Sequence, residues 1–281
     1  MIIFKHIKDI KNWLGQQRDN GTTIGFSPTM GALHRGHISL IEASKKEADI
    51  SVSSVFVNPT QFNDPKDFEK YPTTIDADVY QLEKAGCDVL FLPSVKEMYP
   101  DGFEHPKKYD LGYLETVLDG AYRPGHFQGV CQVVEKLLSI VQPDTLFLGQ
   151  KDYQQCLVIK KLIEIMGTNT KVIIVPTQRE DDGLAMSSRN TRLTEADRKK
   201  APLIQQALQW IKNEIKPGDL KMLKQEAIEK LNNGGFKTDY IEIADAATLQ
   251  LLNDWDGKTP LVALAAAFIG EVRLIDNLLL Q

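Results

Sequence analysis

Short apolar runs alternate with stretches whose apolar positions recur every three or four residues over the first two thirds of the chain. Residues 22–26, 50–57, 88–92, 145–148 and 172–175 read as strands, and helical spacing fills 7–18, 37–48, 74–85, 129–141 and 152–166. The predicted strands are apolar throughout rather than alternately, which implies burial on both faces. Strand–helix alternation of this kind predicts an α/β fold with a doubly wound parallel sheet. The stretch 94–127 breaks the pattern with Pro, Gly, Tyr and charge, and reads as an excursion covering the strand ends.

A second pattern begins beyond a turn signal, Glu180-Asp181-Asp182-Gly183. Thr194 resembles a helix N-cap. Leu203, Ile204, Ala207, Leu208, Ile211 and Ile215 then form one apolar helical face. A short helix around 223–231 precedes two β-like runs, 240–244 and 261–275. The expected organisation is a larger domain over 1–183 and a smaller C-terminal α+β domain over 184–281.

At 281 residues the chain is long enough for one large or two unequal domains. A formal charge of −5 gives no support to nucleic-acid or membrane binding as a main role. Cys87, Cys131 and Cys156 are odd in number and form no CxxC, which fits a reduced compartment. Charge interrupts the N-terminal apolar run too early for a signal segment, and the apolar run 261–270 is half the span a membrane helix needs. A soluble, cytoplasmic protein is the expectation.

The chemistry concentrates where predicted strands end. Pro28-Thr29-Met30-Gly31-Ala32-Leu33-His34-Arg35-Gly36-His37 follows the first run and leads into a helix at 38–48. A helix N-terminus offers unpaired N–H groups and partial positive charge suited to phosphate oxygens. Two imidazoles there can donate to charge that builds in a transition state. Zinc binding is the competing reading, but a closed site needs four ligands, and His6, His105 and His126 lie in no paired spacing. Solvated loop histidines are the other alternative. An HxGH at this place is the signature of the nucleotidyltransferase superfamily.

Four further segments fall at or beyond strand ends. Asn58-Pro59-Thr60-Gln61 carries amides able to orient a small polar acid, and also reads as an ordinary turn. Gly149-Gln150-Lys151-Asp152 places a mobile cation at a second helix mouth; Asp152 is equally a cap, and Gln155 lies one turn on. Met186-Ser187-Ser188-Arg189 sets two hydroxyls beside a guanidinium, groups able to hold phosphate oxygens, and also reads as an ordinary surface loop. Arg123-Pro124-Gly125-His126 ends the excursion; Arg123 suits either an anionic ligand or Asp119. Asp256-Gly257-Lys258-Thr259 is a decoy, because Leu252 occupies the position of the first glycine of a Walker A loop. GxGxxG is absent.

Taken together, PTMGALHRGH, VFVNPTQF, RPGHFQGV, LFLGQKDYQQ and MSSRN, in that order, closely resemble the pantoate–β-alanine ligase family. The resemblance implies a Rossmann-like N-terminal domain, a smaller closing C-terminal domain and a homodimer. It implies joining of D-pantoate to β-alanine with ATP through a pantoyl-adenylate, releasing AMP and pyrophosphate. Carried over by position, Met30, Gly31, Ala32, Leu33, His34, Arg35, Gly36 and His37 correspond to the ATP loop, with His37 the proton donor. Gly149, Gln150, Lys151 and Asp152, and Met186, Ser187, Ser188 and Arg189, match the remaining ATP contacts. Gln61 and Gln155 match the pantoate glutamines, and Gln61 also the β-alanine contact. Thr60 and Gln150 depart from frequent family residues.

His37, His34 and Lys151 are accordingly the expected catalytic groups, converging with Ser187 on one triphosphate. Mg2+ is expected with ATP, without a protein metal cage; Asp76 and Asp78 read equally as helix-start acids. A transferase that stops after moving the nucleotide, a small class I synthetase and a nucleotide-sensing binding protein are the rival readings.

Overall fold

The computed structural model describes residues 1–62, 65–103 and 107–280, the side chains of residues 65 and 66 excepted. His105 therefore falls outside the described residues. The chain divides into two compact units: Met1–Gly149 with Gln155–Pro176, and Gln150–Gln154 with Thr177–Gln281.

The first unit runs β1 (Ile2–Phe4), α1 (Ile7–Asp19), β2 (Ile24–Thr29), α2 (Arg35–Glu47), β3 (Ile50–Val55), α3 (Pro65–Glu69), α4 (Ile75–Lys84) and β4 (Val89–Phe91). It continues with α5 (Val95–Met98), α6 (Asp119–Tyr122), α7 (His126–Val141), β5 (Thr145–Gly149), α8 (Tyr153–Met166, whose first two residues group with the second unit) and β6 (Lys171–Val175). The six strands form one parallel sheet in the order β1-β4-β3-β2-β5-β6. Strand order reverses between β2 and β5, the switch point beside which sheets of this kind bind ligands. The edge strand β1 escapes a periodicity reading because it is only three residues long and half exposed.

Both sheet faces are covered. Phe26, Val52, Val89 and Leu146 pack with Ile10, Leu14, Val134, Leu138, Val158 and Leu162 from α1, α7 and α8. On the other face Leu90 and Val55 meet Ile41 and Leu82, while Phe147 and Val175 meet Leu40. Burying a side chain such as Phe26 contributes about 1.5–3 kcal/mol. Alternate strand residues serve opposite faces, which is why the strands lack a polar side. The serines that interrupt β3 are buried too, and one of them bonds across the ladder: Ser53 Oγ donates to the Ser27 carbonyl at 3.0 Å.

Strand β2 ends three residues later than the apolar run suggests. The Asp144 N–H bonds to the Ile24 carbonyl and the Phe56 N–H to that of Thr29, so even-numbered residues of β2 face β5 and odd ones face β3. Pro28 lacks an N–H on the β5 side alone. Pairing with β5 stops at Phe26↔Leu146, whereas pairing with β3 continues to Thr29↔Val55. The carboxyl ends of β2 and β5 are left unzipped at the switch point.

The second unit contains α9 (Glu195–Lys200), α10 (Leu203–Glu214), β7 (Gly218–Asp219), α11 (Lys221–Asn233), β8 (Lys237–Asp245), β9 (Asp254–Trp255), β10 (Leu261–Ile269) and β11 (Val272–Leu279). Thr194 caps α9, its hydroxyl accepting the Asp197 N–H at 3.1 Å. The expected run 261–275 is corrected to a hairpin. Ile269 pairs with Val272 around a two-residue turn, and Gly270 supplies the positive φ of +54° that the turn requires. Strands β11, β10 and β8 form an antiparallel sheet whose apolar side chains pack with Ile204, Leu208, Ile211, Ala227 and Leu231. The expected boundary at 183/184 compares with a division at 176/177, and residues 150–154 group with the second unit.

Candidate active site

The loop after β2 leads into α2 through the two histidines. His34 is the N-cap and His37 the N3 residue of the helix. His34 Nδ1 accepts the Gly36 N–H at 3.1 Å, and His37 Nδ1 accepts the His34 N–H at 3.3 Å. This is a reciprocal capping box with imidazoles in the places usually held by Ser and Glu. The three-residue spacing of HxGH is therefore the spacing of that box. The helix starts at Arg35 rather than at residue 38, because the histidines wind its first turn. An Nδ1 that accepts an N–H carries no proton, so the hydrogen bonds assign the ring proton to Nε2 in both neutral rings. The ring centroids lie 4.1 Å apart.

Asp78 sets the shape of this loop. Its carboxylate, 1% exposed at the start of α4, accepts the N–H groups of Ala32 at 3.0 Å and Leu33 at 2.8 Å, and the Thr74 hydroxyl at 3.1 Å. Ala32 has φ +49° and Gly31 φ +82°. A Cβ on Gly31 would stand 2.9 Å from Asp78 Oδ2, so only glycine lets the loop pass. In the sequence Asp78 is one of several helix-start acids, and its distance along the chain from the loop conceals the contact. Met30 and His34 are half-buried, while Arg35 is exposed and pairs with Glu42 at 2.8 Å.

The amide segment forms the turn Pro59–Gln61. Asn58, 1% exposed, accepts from Tyr99 Oη at 2.9 Å and donates to Thr60 Oγ1 at 3.0 Å and Gln61 Oε1 at 3.2 Å. It therefore builds the turn. Gln61 Nε2 reaches Met30 Sδ at 3.0 Å, bringing two predicted site residues together. Helix α7 supports the turn from beneath. His126 Nδ1 lies 2.8 Å from the Gln61 carbonyl oxygen and Arg123 Nη1 3.1 Å from His126 Nε2. A Cβ on Gly129 would meet the Thr60 carbonyl oxygen at 2.2 Å. RPGHFQG is thus the bed on which NPTQ rests, a relation invisible along the sequence. Gln155 occupies the first turn of α8 and is half-buried.

Strand β5 ends at Gly149, and the chain passes directly into the 3-10 turn Gln150–Asp152. Lys151 is partly buried and Asp152 exposed, with Lys151 Nζ 3.9 Å from Asp152 Oδ1. Asp152 closes this turn and stands immediately before Tyr153, the first residue of α8. In the same unit, Ser187 is the N-cap of the turn Ser188–Arg192, its Oγ accepting the Arg189 N–H at 3.2 Å. That leaves the Ser187 proton for donation elsewhere. Asn190 Nδ2 ties the loop to the Ala185 carbonyl at 3.0 Å. Nearby, burial pushes the Asp276 carboxyl above its ordinary range, and the facing Arg179 acts against that rise.

The described residues contain no cluster of three His, Cys, Asp or Glu side chains that could hold a metal ion. Asp78 does not fit magnesium binding, since its oxygens are taken up by the loop amides and Thr74. No helix among the described residues is long and apolar enough to cross a membrane.

A family model described as pantoate-beta-alanine ligase matches residues 2–279. A pantothenate synthetase of Aeromonas hydrophila is 44% identical over 279 residues, covering 99% of this chain and 97% of its own. That of Porphyromonas gingivalis is 43% identical over 281 residues, covering 99% of each. The crystal structure of a pantothenate synthetase from Thermus thermophilus superposes with TM-score 0.91 at 39% identity, over 100% of this chain and 99% of that one. A pantoate-beta-alanine ligase from Francisella tularensis, crystallised with beta-gamma ATP and beta-alanine, matches at TM-score 0.85 and 42% identity, over 100% and 98%. A parallel six-stranded sheet with a strand-rich C-terminal unit, and relatives matched from end to end, agree on one assignment: the chain belongs to the pantoate–β-alanine ligase family.

Proposed function

We propose that the chain joins D-pantoate to β-alanine in two ATP-driven steps. The pantoate carboxylate attacks the α-phosphorus of ATP in line, forming pantoyl-adenylate and releasing pyrophosphate. The β-alanine amine then attacks the adenylate carbonyl carbon, loses a proton, and AMP departs. The observation that carries this reading is the reciprocal His34–His37 cap at the start of α2, which places two imidazoles at one helix mouth.

In this mechanism the protein mainly positions reactants and stabilises charge, as in phosphoryl transfer generally. His34 and His37 donate to phosphate oxygens, with His37 the proton donor. Lys151, Ser187, Ser188 and Arg189 neutralise the polyphosphate and the leaving pyrophosphate. Backbone groups of the 30–37 loop and of 149–152 complete ATP binding. Gln61 and Gln155 orient pantoate, and Gln61 also meets β-alanine; its contact with Met30 supports a place for it beside the nucleotide loop. Mg2+ would arrive on the polyphosphate and offset its charge, keeping several waters. A homodimer, which rests on the family resemblance, and a cytoplasmic setting, which rests on three cysteines without a CxxC, belong to the same proposal.

The decisive experiment incubates purified protein with ATP, Mg2+ and D-pantoate, with and without β-alanine, and resolves products by mass. Pantothenate and AMP that appear only with β-alanine support the reading. Pyrophosphate release with no pantothenate under any condition overturns the second step and leaves a nucleotidyltransferase.

A further inference from the structure

Two consecutive residues of β11 hold both second-unit segments assigned above to the polyphosphate. Asn277, 2% exposed, donates through Nδ2 to the carbonyls of Gln150 and Lys151, each at 2.9 Å. Its Oδ1 accepts Gln150 Nε2 at 3.2 Å. One buried amide thus fastens the backbone of the turn that carries Lys151.

Asp276, also 2% exposed, acts on the other segment. It receives Arg179 in a bidentate pair, Nη1 at 2.7 Å and Nη2 at 3.0 Å. Arg179 Nη1 also donates to the Gly183 carbonyl at 3.0 Å, and Arg179 pairs with Ala185 through the backbone. With the Met186 N–H on the Gln178 carbonyl at 2.9 Å, this closes the hairpin whose outgoing arm leads into Ser187. The Asn277 N–H donates to Asp276 Oδ1 at 2.8 Å, and the Asn277 carbonyl accepts Arg179 Nη2 at 3.3 Å, so the two anchors are locked together.

We infer that Asp276 and Asn277 are positioning residues that fix Lys151 and the Ser187–Ser188–Arg189 loop in one mutual geometry for a nucleotide polyphosphate. The inference rests on the functional reading given above. Neither residue needs to touch the ligand. A misplacement of about 1 Å in such a constellation can cost on the order of 10²-fold in rate. The pair is indispensable for shape rather than for charge on the reactants.

The test is Asn277→Asp, which keeps the side-chain outline but replaces the amide donor with an acceptor facing two carbonyls. Steady-state constants for each substrate are compared with the affinity for a non-hydrolysable ATP analogue, in wild-type and Lys151→Ala backgrounds. The expected result is a 10–100-fold loss in kcat/KM for ATP, an unchanged KM for β-alanine, and a further weakening of analogue binding under twofold when Lys151 is already absent. Asn277→Ser, which restores a donor, should recover part of the loss. Should Asn277→Asp fail to fold by circular dichroism, Asn277→Ser and Asn277→Ala carry the same comparison. Wild-type constants in the Asn277 variants, or an equal loss of analogue affinity with and without Lys151, would overturn the inference. Wild-type protein that makes no pantothenate would instead overturn the functional reading.

Discussion

Asp78 and Leu33 are joined by a 2.8 Å hydrogen bond from the Leu33 amide to the buried carboxylate, with the Ala32 amide on the second oxygen at 3.0 Å. A carboxylate beneath the histidine loop thereby fixes a backbone that includes a left-handed alanine. Asp78→Ala leaves two amides near the interior without an acceptor, at a cost of about 1–3 kcal/mol each. The expected outcome is a lower urea midpoint with unchanged m-value, together with a fall in kcat/KM for ATP. Wild-type activity in a destabilised variant would limit Asp78 to a structural role.

His37→Ala and Lys151→Ala each remove a proposed transition-state donor, for which losses of about 3–4 kcal/mol, roughly 10²–10³ in rate, are typical. Single-turnover adenylate formation, followed by pyrophosphate release, should fall by at least that factor while the fold survives. A near-normal rate in either variant would remove that residue from the chemistry.

Gly129→Ala tests the bed under the amide turn. Its new Cβ would lie 2.2 Å from the Thr60 carbonyl oxygen, so α7 or the turn must move. Overpacking of this kind costs about 1–3 kcal/mol. We expect a lower melting temperature and a raised KM for pantoate, with ATP analogue affinity nearly unchanged; a shift in nucleotide affinity alone would contradict the placement of Gln61.

Burial pushes the thiols of Cys87 and Cys131 up from an ordinary 9.0 to about 12 each. In the native protein near pH 8 both should resist iodoacetamide, and in urea both should react, as peptide mass mapping will show. The linkage has a definite sign. Below about pH 9 both states keep the protons and stability is unaffected. As pH rises from 9 towards 12 the unfolded chain releases protons that the fold retains, so stability falls. A urea midpoint that climbs over that interval would contradict it.

The parallel sheet and the site segments were legible because each depends on local signals. Apolar runs mark buried strands, and HxGH marks a helix mouth. The rest depends on contacts across the chain. Asp78 is an ordinary helix-start acid until its partners Ala32 and Leu33 are known. Asn277 and Asp276 sit in a strand that periodicity merged with its neighbour, since only the turn at Gly270 divides the apolar run. The apolar run closes the first strand at Phe26, because sequence alone does not say that the chain stays paired with β3 as far as Thr29 after its pairing with β5 has stopped.

Pro28 carries a last consequence. A residue with an amide at position 28 would offer β5 a donor, allowing the two strands to knit together beyond Phe26. The gap at the heart of the sheet would narrow where the histidine loop departs. Pro28 thus guards an opening through the bond it is unable to make.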